Sequence, residues 1–239
     1  MQIQVAKRLQ GTEEYYFSKK LREIEEMNQA GPRVINLGIG SPDLPPHPSV
    51  VAALNENAAL PNTHAYQGYK GIPALRKAMA DWYQRYYNVS LNPDTEVLPL
   101  IGSKEGIMHI CMTYLQEGDE ALIPNPGYPT YRSAVSLSGA AVVDYDLSEE
   151  NGWLPDLDAL AQKDLSRVKL MWVNYPHMPT GAKVNDAFAG KLIAFAKQHN
   201  ILICHDNPYS FILTEKPQSL LQFEGAKDVV LELNSLSKS

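Results

Sequence analysis

A lysine near the end of the sequence stands in a turn of small hydroxyl residues. Residues 231–239 read LELNSLSKS, so a strand-like run breaks up and Lys238 follows it. A lysine amine reacts as a nucleophile only when it is unprotonated or held as an imine, and partial burial at a strand end favours this. Lys238 is therefore a candidate catalytic residue, although a solvated turn can have the same composition.

A carboxylate follows a second apolar run. Residues 203–210 read ICHDNPYS, which places Asp206 where a buried strand ends and Tyr209 one turn later. Asp206 could hold a positively charged ring nitrogen, and Tyr209 could reach the same ligand. The alternative is that Asp206 caps the segment that follows it.

Two further loops are suited to a flat, phosphorylated ligand. Residues 101–106 (IGSKEG) form a small turn at the start of an apolar helix. Free backbone N–H groups and the positive end of the helix dipole attract a phosphate there, although an ordinary helix entry has similar residues. Tyr128, in the proline-rich loop 124–129, could stack on an aromatic ring.

The elements that carry these loops alternate between helix-like and strand-like segments. Helices are predicted at 13–29, 49–59, 72–87, 104–116, 129–138, 156–162, 185–199 and, briefly, 217–221. Strands are predicted at 97–101, 120–123, 141–144, 168–174, 200–205 and 229–234. Several strands are short continuous apolar runs, as expected when helices cover both faces of a sheet. The pattern predicts an α/β fold with a doubly wound, mostly parallel sheet, whose ligands bind beyond the carboxyl ends of the strands.

Composition narrows the classes of partner. The chain has 239 residues and a formal net charge of −6, which argues against nucleic acid or an anionic membrane surface as a partner. No run approaches the roughly 18 apolar residues that span a bilayer. The two cysteines, Cys111 and Cys204, lie in apolar segments, so we expect a reduced, cytoplasmic protein.

The order and spacing of these motifs resemble the fold-type I, aspartate-aminotransferase-like family of pyridoxal 5'-phosphate (PLP) enzymes. The most specific motifs are PTG at 179–181, D-x-x-Y at 206–209 and S-x-S-K at 235–238. The sequence is most similar to the group with NYPxxPTG and GSKEG, which includes alanine, aspartate and LL-diaminopimelate aminotransferases. The resemblance implies that Lys238 forms a Schiff base with PLP and moves the proton at the substrate Cα. It also implies that Asp206 pairs with the pyridinium nitrogen and that Tyr209 hydrogen-bonds the 3-oxygen.

The resemblance implies further contacts. Tyr128 stacks on the cofactor ring, and the backbone of Gly40 approaches the substrate carboxylate. Tyr66 reaches the phosphate bound by a neighbouring subunit, which implies a homodimer with shared active sites. Phosphate contacts are implied at Ser103, Lys104, Ser235 and Ser237, the first two largely through backbone N–H groups.

The sequence departs from the family pattern in two places. The family has Asn directly before Pro-Thr-Gly, where its side chain donates to the 3-oxygen, and here that position is Met178. Methionine cannot donate, so His177 or Asn174 substitutes, or Tyr209 acts alone. Family members also continue past the lysine with a phosphate-binding arginine, an antiparallel strand and a small domain. We therefore expect a truncated chain that lacks the C-terminal small domain, with residues 1–47 as an N-terminal helical arm and small-domain segment and residues 48–239 as the PLP-binding large domain.

Three functions remain open on this basis. The first is an aminotransferase that moves an amino group from an amino acid to a 2-oxo acid. The second is a PLP β-lyase or decarboxylase, because one fold hosts several reactions. The third is a binding protein or inactive fragment of the family.

Overall fold

The computed structural model describes residues 3–9, 14–212 and 214–238. Its α-helices are α1 (Tyr16–Ala30), α2 (Pro48–Ala58), α3 (Pro73–Tyr87), α4 (Ser103–Tyr114), α5 (Pro129–Leu137), α6 (Leu157–Ala161) and α7 (Asp186–His199). Its strands are β1 (Glu120–Asn125), β2 (Ala141–Asp146), β3 (Val168–Asn174), β4 (Leu202–Asn207) and β5 (Val230–Asn234). Short 3-10 helices lie at Lys7–Leu9, Leu220–Gln222 and Ala226–Asp228. Within the described ranges no helix is both long and apolar enough to span a bilayer.

The five strands form one sheet in the order β2-β1-β3-β4-β5, and every neighbouring pair is parallel. The chain steps from β1 outward to β2, then returns past β1 to β3 and continues to β5. The direction therefore reverses between β1 and β3, and this arrangement leaves a crevice beyond the carboxyl ends of those strands. The predicted doubly wound, parallel α/β fold is confirmed.

Side chains along the strands alternate between two apolar cores. In β3, Leu170 and Trp172 belong to the core that contains residues of α4 and α5. Met171 and Val173 belong to the core that contains residues of α6 and α7. This two-residue period is that of a strand covered on both faces. It follows that consecutive residues at the carboxyl end of a strand point to opposite sides of the sheet.

Helix α7 shows how the sequence sets the entry into β4. The helix starts after Asn185, whose side chain accepts a hydrogen bond of 2.8 Å from the backbone N–H of Phe188. It ends at Asn200, which adopts the left-handed conformation with φ 54°. The chain turns there directly into β4, and Asp206 comes near the end of that strand.

Two of the predicted elements are wrong. Residues 97–101 form no strand, and no backbone hydrogen bond among the described residues joins them to the sheet. Leu98 is 61% exposed and Ile101 99% exposed, because an apolar run becomes a strand only where a neighbouring strand pairs with it. The predicted helix at 217–221 is a loop that leads into the 3-10 helix at Leu220–Gln222. The first residue of the predicted helix 13–29 lies outside the described residues, and α1 begins at Tyr16.

Candidate active site

The centre of the candidate site is the carboxylate of Asp206 near the carboxyl end of β4. Its side chain points to the α4–α5 side of the sheet, where the hydroxyl of Tyr131 donates to Oδ2 at 2.7 Å. Asp206 is only 5% exposed, and within the described part of the chain its Oδ1 is buried without a hydrogen-bond partner. One oxygen of this carboxylate is therefore free to accept from a ligand.

Burial raises the pKa of Asp206, and the hydrogen bond from Tyr131 and the positive charge of His205 act in the opposite direction. A buried carboxylate with an unused oxygen costs free energy unless a cation or a strong donor pairs with it. The environment of Asp206 therefore suits a ligand that presents a protonated, positively charged ring nitrogen.

Tyr131 was not identified from the sequence. It lies three residues after Tyr128 on the buried side of α5, and its ring stacks on Trp172 with centroids 5.0 Å apart and planes 8° from parallel. Its position three residues after Tyr128, in a predicted helix, was the signal that the sequence offered. The packing holds the Tyr131 hydroxyl against Asp206.

Two other tyrosines predicted for the site lie beside this carboxylate. Tyr128 is half-buried, and its ring meets that of Tyr131 edge-on at 5.6 Å. Burial raises the pKa of Tyr209, and the nearby Asp206 carboxylate raises it further. The structure therefore brings Tyr128, Tyr209 and Asp206 to one region of the sheet edge.

The start of α4 lies next to the same region. Ser103 is its first residue and Lys104 its second, so their N–H groups are at the positive end of the helix. The Lys104 ammonium lies 4.9 Å from the ring centroid of Tyr15 and 5.9 Å from that of Tyr128. The Lys104 side chain thus connects the N-terminal arm to the ring of Tyr128, a contact that the sequence did not predict.

The structure also brings Lys238 to the N-terminal segment. Its ammonium donates to the backbone carbonyl of Gly40, the glycine predicted to approach a substrate carboxylate. In the turn before it, the hydroxyls of Ser235 and Ser237 are 2.7 Å apart, and the N–H of Ser237 donates to Ser235 Oγ at 3.1 Å. The predicted lysine, its serines and Gly40 therefore lie together.

Tyr66 is not part of this group. Its side chain is fully exposed, and no hydrogen bond from its hydroxyl is found within residues 3–9, 14–212 and 214–238. Its predicted contact is with a second subunit and stays a prediction.

The loop after β3 contains the two side chains, Asn174 and His177, that could donate in place of the Asn that the family has at position 178. The amide nitrogen of Asn174 donates to the backbone carbonyl of Asp206 at 2.7 Å, and its oxygen accepts from the N–H of Met178 at 2.8 Å. The Asn174 side chain thus holds the backbone at Asp206 and Met178, and its amide nitrogen keeps a second N–H. His177 is buried, its Nδ1 lies 2.8 Å from the hydroxyl of Thr180, and burial lowers its pKa.

A second polar group lies on the other side of the sheet, directly behind the site. His205 and Glu232 are buried neighbours on β4 and β5, 2.7 Å apart. Sequence reasoning missed both, because each stands in an apolar strand and their proximity depends on the pairing of two strands. Within the described residues no cluster of three His, Cys, Asp or Glu side chains could hold a metal ion.

Comparison with known proteins is consistent with this geometry. An LL-diaminopimelate aminotransferase of Dehalococcoides mccartyi (strain CBDB1) is 46% identical over 239 residues, which are 99% of this chain and 62% of that protein. Transaminase BacF of Bacillus subtilis (strain 168) is 44% identical over 93% of this chain and 56% of its own length. A substrate-bound structure of BacF superimposes with a TM-score of 0.92 at 42% identity, covering all of this chain and 60% of that one.

The chain therefore spans about three fifths of the length of these relatives. The family model for aminotransferase class I and II matches residues 32–239, which include every predicted site residue. The chain belongs to the aminotransferase class I and II family.

Proposed function

We propose that this chain is the cofactor-binding part of a PLP-dependent aminotransferase that moves an amino group from an amino acid to a 2-oxo acid. The observation that carries the proposal is the buried carboxylate of Asp206, which has one hydrogen-bonded oxygen and, among the described residues, one oxygen without a partner. It lies among the residues that the family uses around its cofactor. Relatives at 44–46% identity are named aminotransferases, which favours this reaction over a β-lyase or decarboxylase. We also propose a cytoplasmic homodimer, with residues 1–47 as an arm and the remainder as the large domain.

The residues present fit PLP. Asp206 offers a free oxygen for the protonated ring nitrogen, and Tyr128 offers a half-buried aromatic ring. The first N–H groups of α4, at Ser103 and Lys104, are suited to a phosphate. The hydroxyls of Ser235 and Ser237, which lie 2.7 Å apart, would add further phosphate contacts.

When bound, PLP supplies an electron sink for the carbanion formed at the substrate Cα. Asp206 would keep the ring nitrogen protonated, since a buried carboxylate favours a positive partner. Tyr209 would donate a hydrogen bond to the 3-oxygen. Lys238 would hold the cofactor in the resting protein and, once its amine is released, would carry the proton from the substrate Cα to the cofactor carbon that bears the transferred nitrogen. Gly40 leaves room for the substrate carboxylate near the Lys238 ammonium.

Borohydride trapping tests this assignment. The protein is incubated with PLP, reduced with borohydride and digested, and the modified lysine is identified by peptide mass. We expect the label on Lys238, and none in Lys238→Ala. Lys191→Ala, which replaces an exposed lysine of α7, is the matched control and should be labelled like the wild type.

The products then separate the candidate reactions. An aminotransferase converts the amino donor to a 2-oxo acid and leaves pyridoxamine phosphate. Formation of pyruvate with ammonia, or of an amine with carbon dioxide, would assign a lyase or a decarboxylase instead. A label on Lys104 in place of Lys238 would contradict the central assignment.

A further inference from the structure

His205 and Glu232 form a completely buried polar pair on the side of the sheet opposite Asp206. Their Cα atoms are register partners in the parallel pair β4–β5, and Nδ1 of His205 lies 2.7 Å from Oε2 of Glu232. The side chains are 2% and 0% exposed. Two buried polar side chains are compatible with a stable fold only when hydrogen bonds satisfy their donors and acceptors.

The hydrogen bonds assign the protons of this pair. Nε2 of His205 lies 2.9 Å from the backbone carbonyl of Tyr175, and because a carbonyl oxygen only accepts, Nε2 must donate. Glu232 accepts from the hydroxyl of Tyr83 at 2.8 Å and from that of Ser219 at 2.9 Å. Donors on both oxygens favour the carboxylate form of Glu232, and Nδ1 of His205 then donates to it as well.

Further donors complete the surroundings of the carboxylate. The backbone N–H of Leu220 donates to Oε2 at 3.1 Å and the amide of Asn207 to Oε1 at 3.3 Å. Burial raises the pKa of Glu232, but the charge and hydrogen bond of His205 and the hydroxyl donors outweigh it, so the net pKa is lowered. The donors around both oxygens of Glu232 and the two acceptors around the His205 ring favour a carboxylate beside an imidazolium, which makes the pair a buried ion pair.

This ion pair connects the strand ends that carry the site. Through Tyr175 it holds the start of the loop after β3, and through Glu232 it holds β5, which leads to Lys238. His205 precedes Asp206 in β4, so its positive charge lies behind that carboxylate across one backbone unit. The other titratable groups of the described residues that face the pair include Tyr83 and Tyr87 of α3 and, around the same small cavity as His205, the residues Tyr175, Lys183 and Lys216.

We propose that the His205–Glu232 ion pair positions the candidate active site by holding the carboxyl ends of β3, β4 and β5 in one arrangement. The pair also places a positive charge behind Asp206. The positive charge favours the ionised form of Asp206, which a protonated ring nitrogen needs as a partner. His205 and Glu232 are thus positioning residues, since neither lies on the ligand side of the sheet. The catalytic consequence rests on the proposed function, whereas the charge state of the pair does not.

The charge state is tested on cofactor-free protein. Nitrogen-15 NMR of the histidine rings at pH 8, assigned with His205→Gln, should show a proton on both nitrogens of His205. Glu232→Gln keeps the shape of the side chain and removes its charge, so the same spectrum should show that one ring nitrogen has lost its proton. A singly protonated His205 in the wild type would overturn the ion pair.

The positioning role is tested by steady-state kinetics on PLP-saturated protein. We expect Glu232→Gln to lower kcat about tenfold or more and to change KM for the amino donor less than about threefold, as for other residues that orient a site from behind. Glu120→Gln is the matched control, because Glu120 pairs with Arg167 at the amino end of β1, the opposite edge of the sheet. That variant should retain wild-type kinetics.

The outcomes separate the two proposals. An unchanged kcat in Glu232→Gln, with His205 neutral, would overturn the positioning role. If Glu232→Gln does not fold, Tyr83→Phe removes one donor to the carboxylate and keeps both charges; kcat should then fall about threefold, and an unchanged kcat would overturn the role. Borohydride labelling at a lysine other than Lys238 would refute the proposed function and leave the NMR result standing.

Discussion

Removing the hydroxyl of Tyr131 should leave the carboxylate of Asp206 without a partner. In the structure the Tyr131 hydroxyl is its hydrogen-bond donor at 2.7 Å, and the second carboxylate oxygen has no partner among the described residues. Tyr131→Phe keeps the ring and therefore the stacking on Trp172. The variant thus changes one hydrogen bond and little of the packing.

The size of the effect follows from the charge of the acceptor. A hydrogen bond to a charged group contributes about 1.5–3 kcal/mol, against about 0.5–1.5 kcal/mol for a neutral pair. At pH 7, we expect the free energy of unfolding of the cofactor-free protein to be about 1.5–3 kcal/mol lower in Tyr131→Phe than in the wild type. Because the lost bond favoured the ionised form, the pKa of Asp206 should rise further in the direction in which burial already shifts it.

The pH dependence gives the sharper test. The folded-state pKa of Asp206 is raised above the ordinary value of 3.8, so the folded protein binds this proton more readily than the unfolded chain. The contribution of Asp206 to stability therefore becomes less favourable as the pH rises from 3.8 through the raised folded-state pKa. The difference in unfolding free energy between the wild type and Tyr131→Phe should be largest at pH 7. It should become smaller as the pH falls and Asp206 is protonated. Urea unfolding at several pH values measures it.

Tyr145→Phe is the matched control for this experiment. The Tyr145 hydroxyl donates to the backbone carbonyl of Trp172 at 2.6 Å, so the same substitution removes a hydrogen bond to a neutral acceptor in the same sheet. Its deficit should be smaller, about 0.5–1.5 kcal/mol, and independent of pH between 4 and 7. If the two variants lose equal stability with the same pH dependence, the reasoning about a charged Asp206 is refuted.

Three further predictions concern the same edge of the sheet. Asp206→Asn should lower kcat about 100-fold or more, by analogy with removing other preorganised charges, and should not lower the thermal stability of the cofactor-free protein, because a buried charge is gone; wild-type turnover would exclude the proposed role. Glu232 has a lowered pKa, so its contribution to stability is present above pH 4.5 and is lost as the pH falls through the folded-state pKa. In Glu232→Gln, the free energy of unfolding measured with urea should therefore depend less on pH in this acidic range. Met178→Asn should shift the pH titration of the visible absorbance of the PLP-bound protein to lower pH by about one to two units, and coincident curves would mean that a neighbour, His177 or Asn174, already supplies the donor.

The sequence predicted those parts of the molecule that depend on local pattern. Apolar runs ending in polar residues indicated β3, β4 and β5 and placed Asp206 and Lys238 at one edge, because parallel strands share that edge. The run 97–101 is also apolar and forms no strand among the described residues, since pairing is a property of two segments. His205 and Glu232 were missed for the same reason: they are 27 residues apart, and only the register of β4 and β5 makes them neighbours.

The alternation along β4 also bears on how the strand finds its place. Its apolar part, Leu202 to Cys204, can be buried on either face, so hydrophobicity discriminates poorly between the native pairing and one shifted by a single residue. A shift would turn Asp206 towards Glu232 and bring two carboxylates together without a cation, while His205 would face the hydroxyl of Tyr131. The dipeptide His205-Asp206 therefore selects the register by charge, and a neutral residue at either position should make misregistered sheets easier to form during folding.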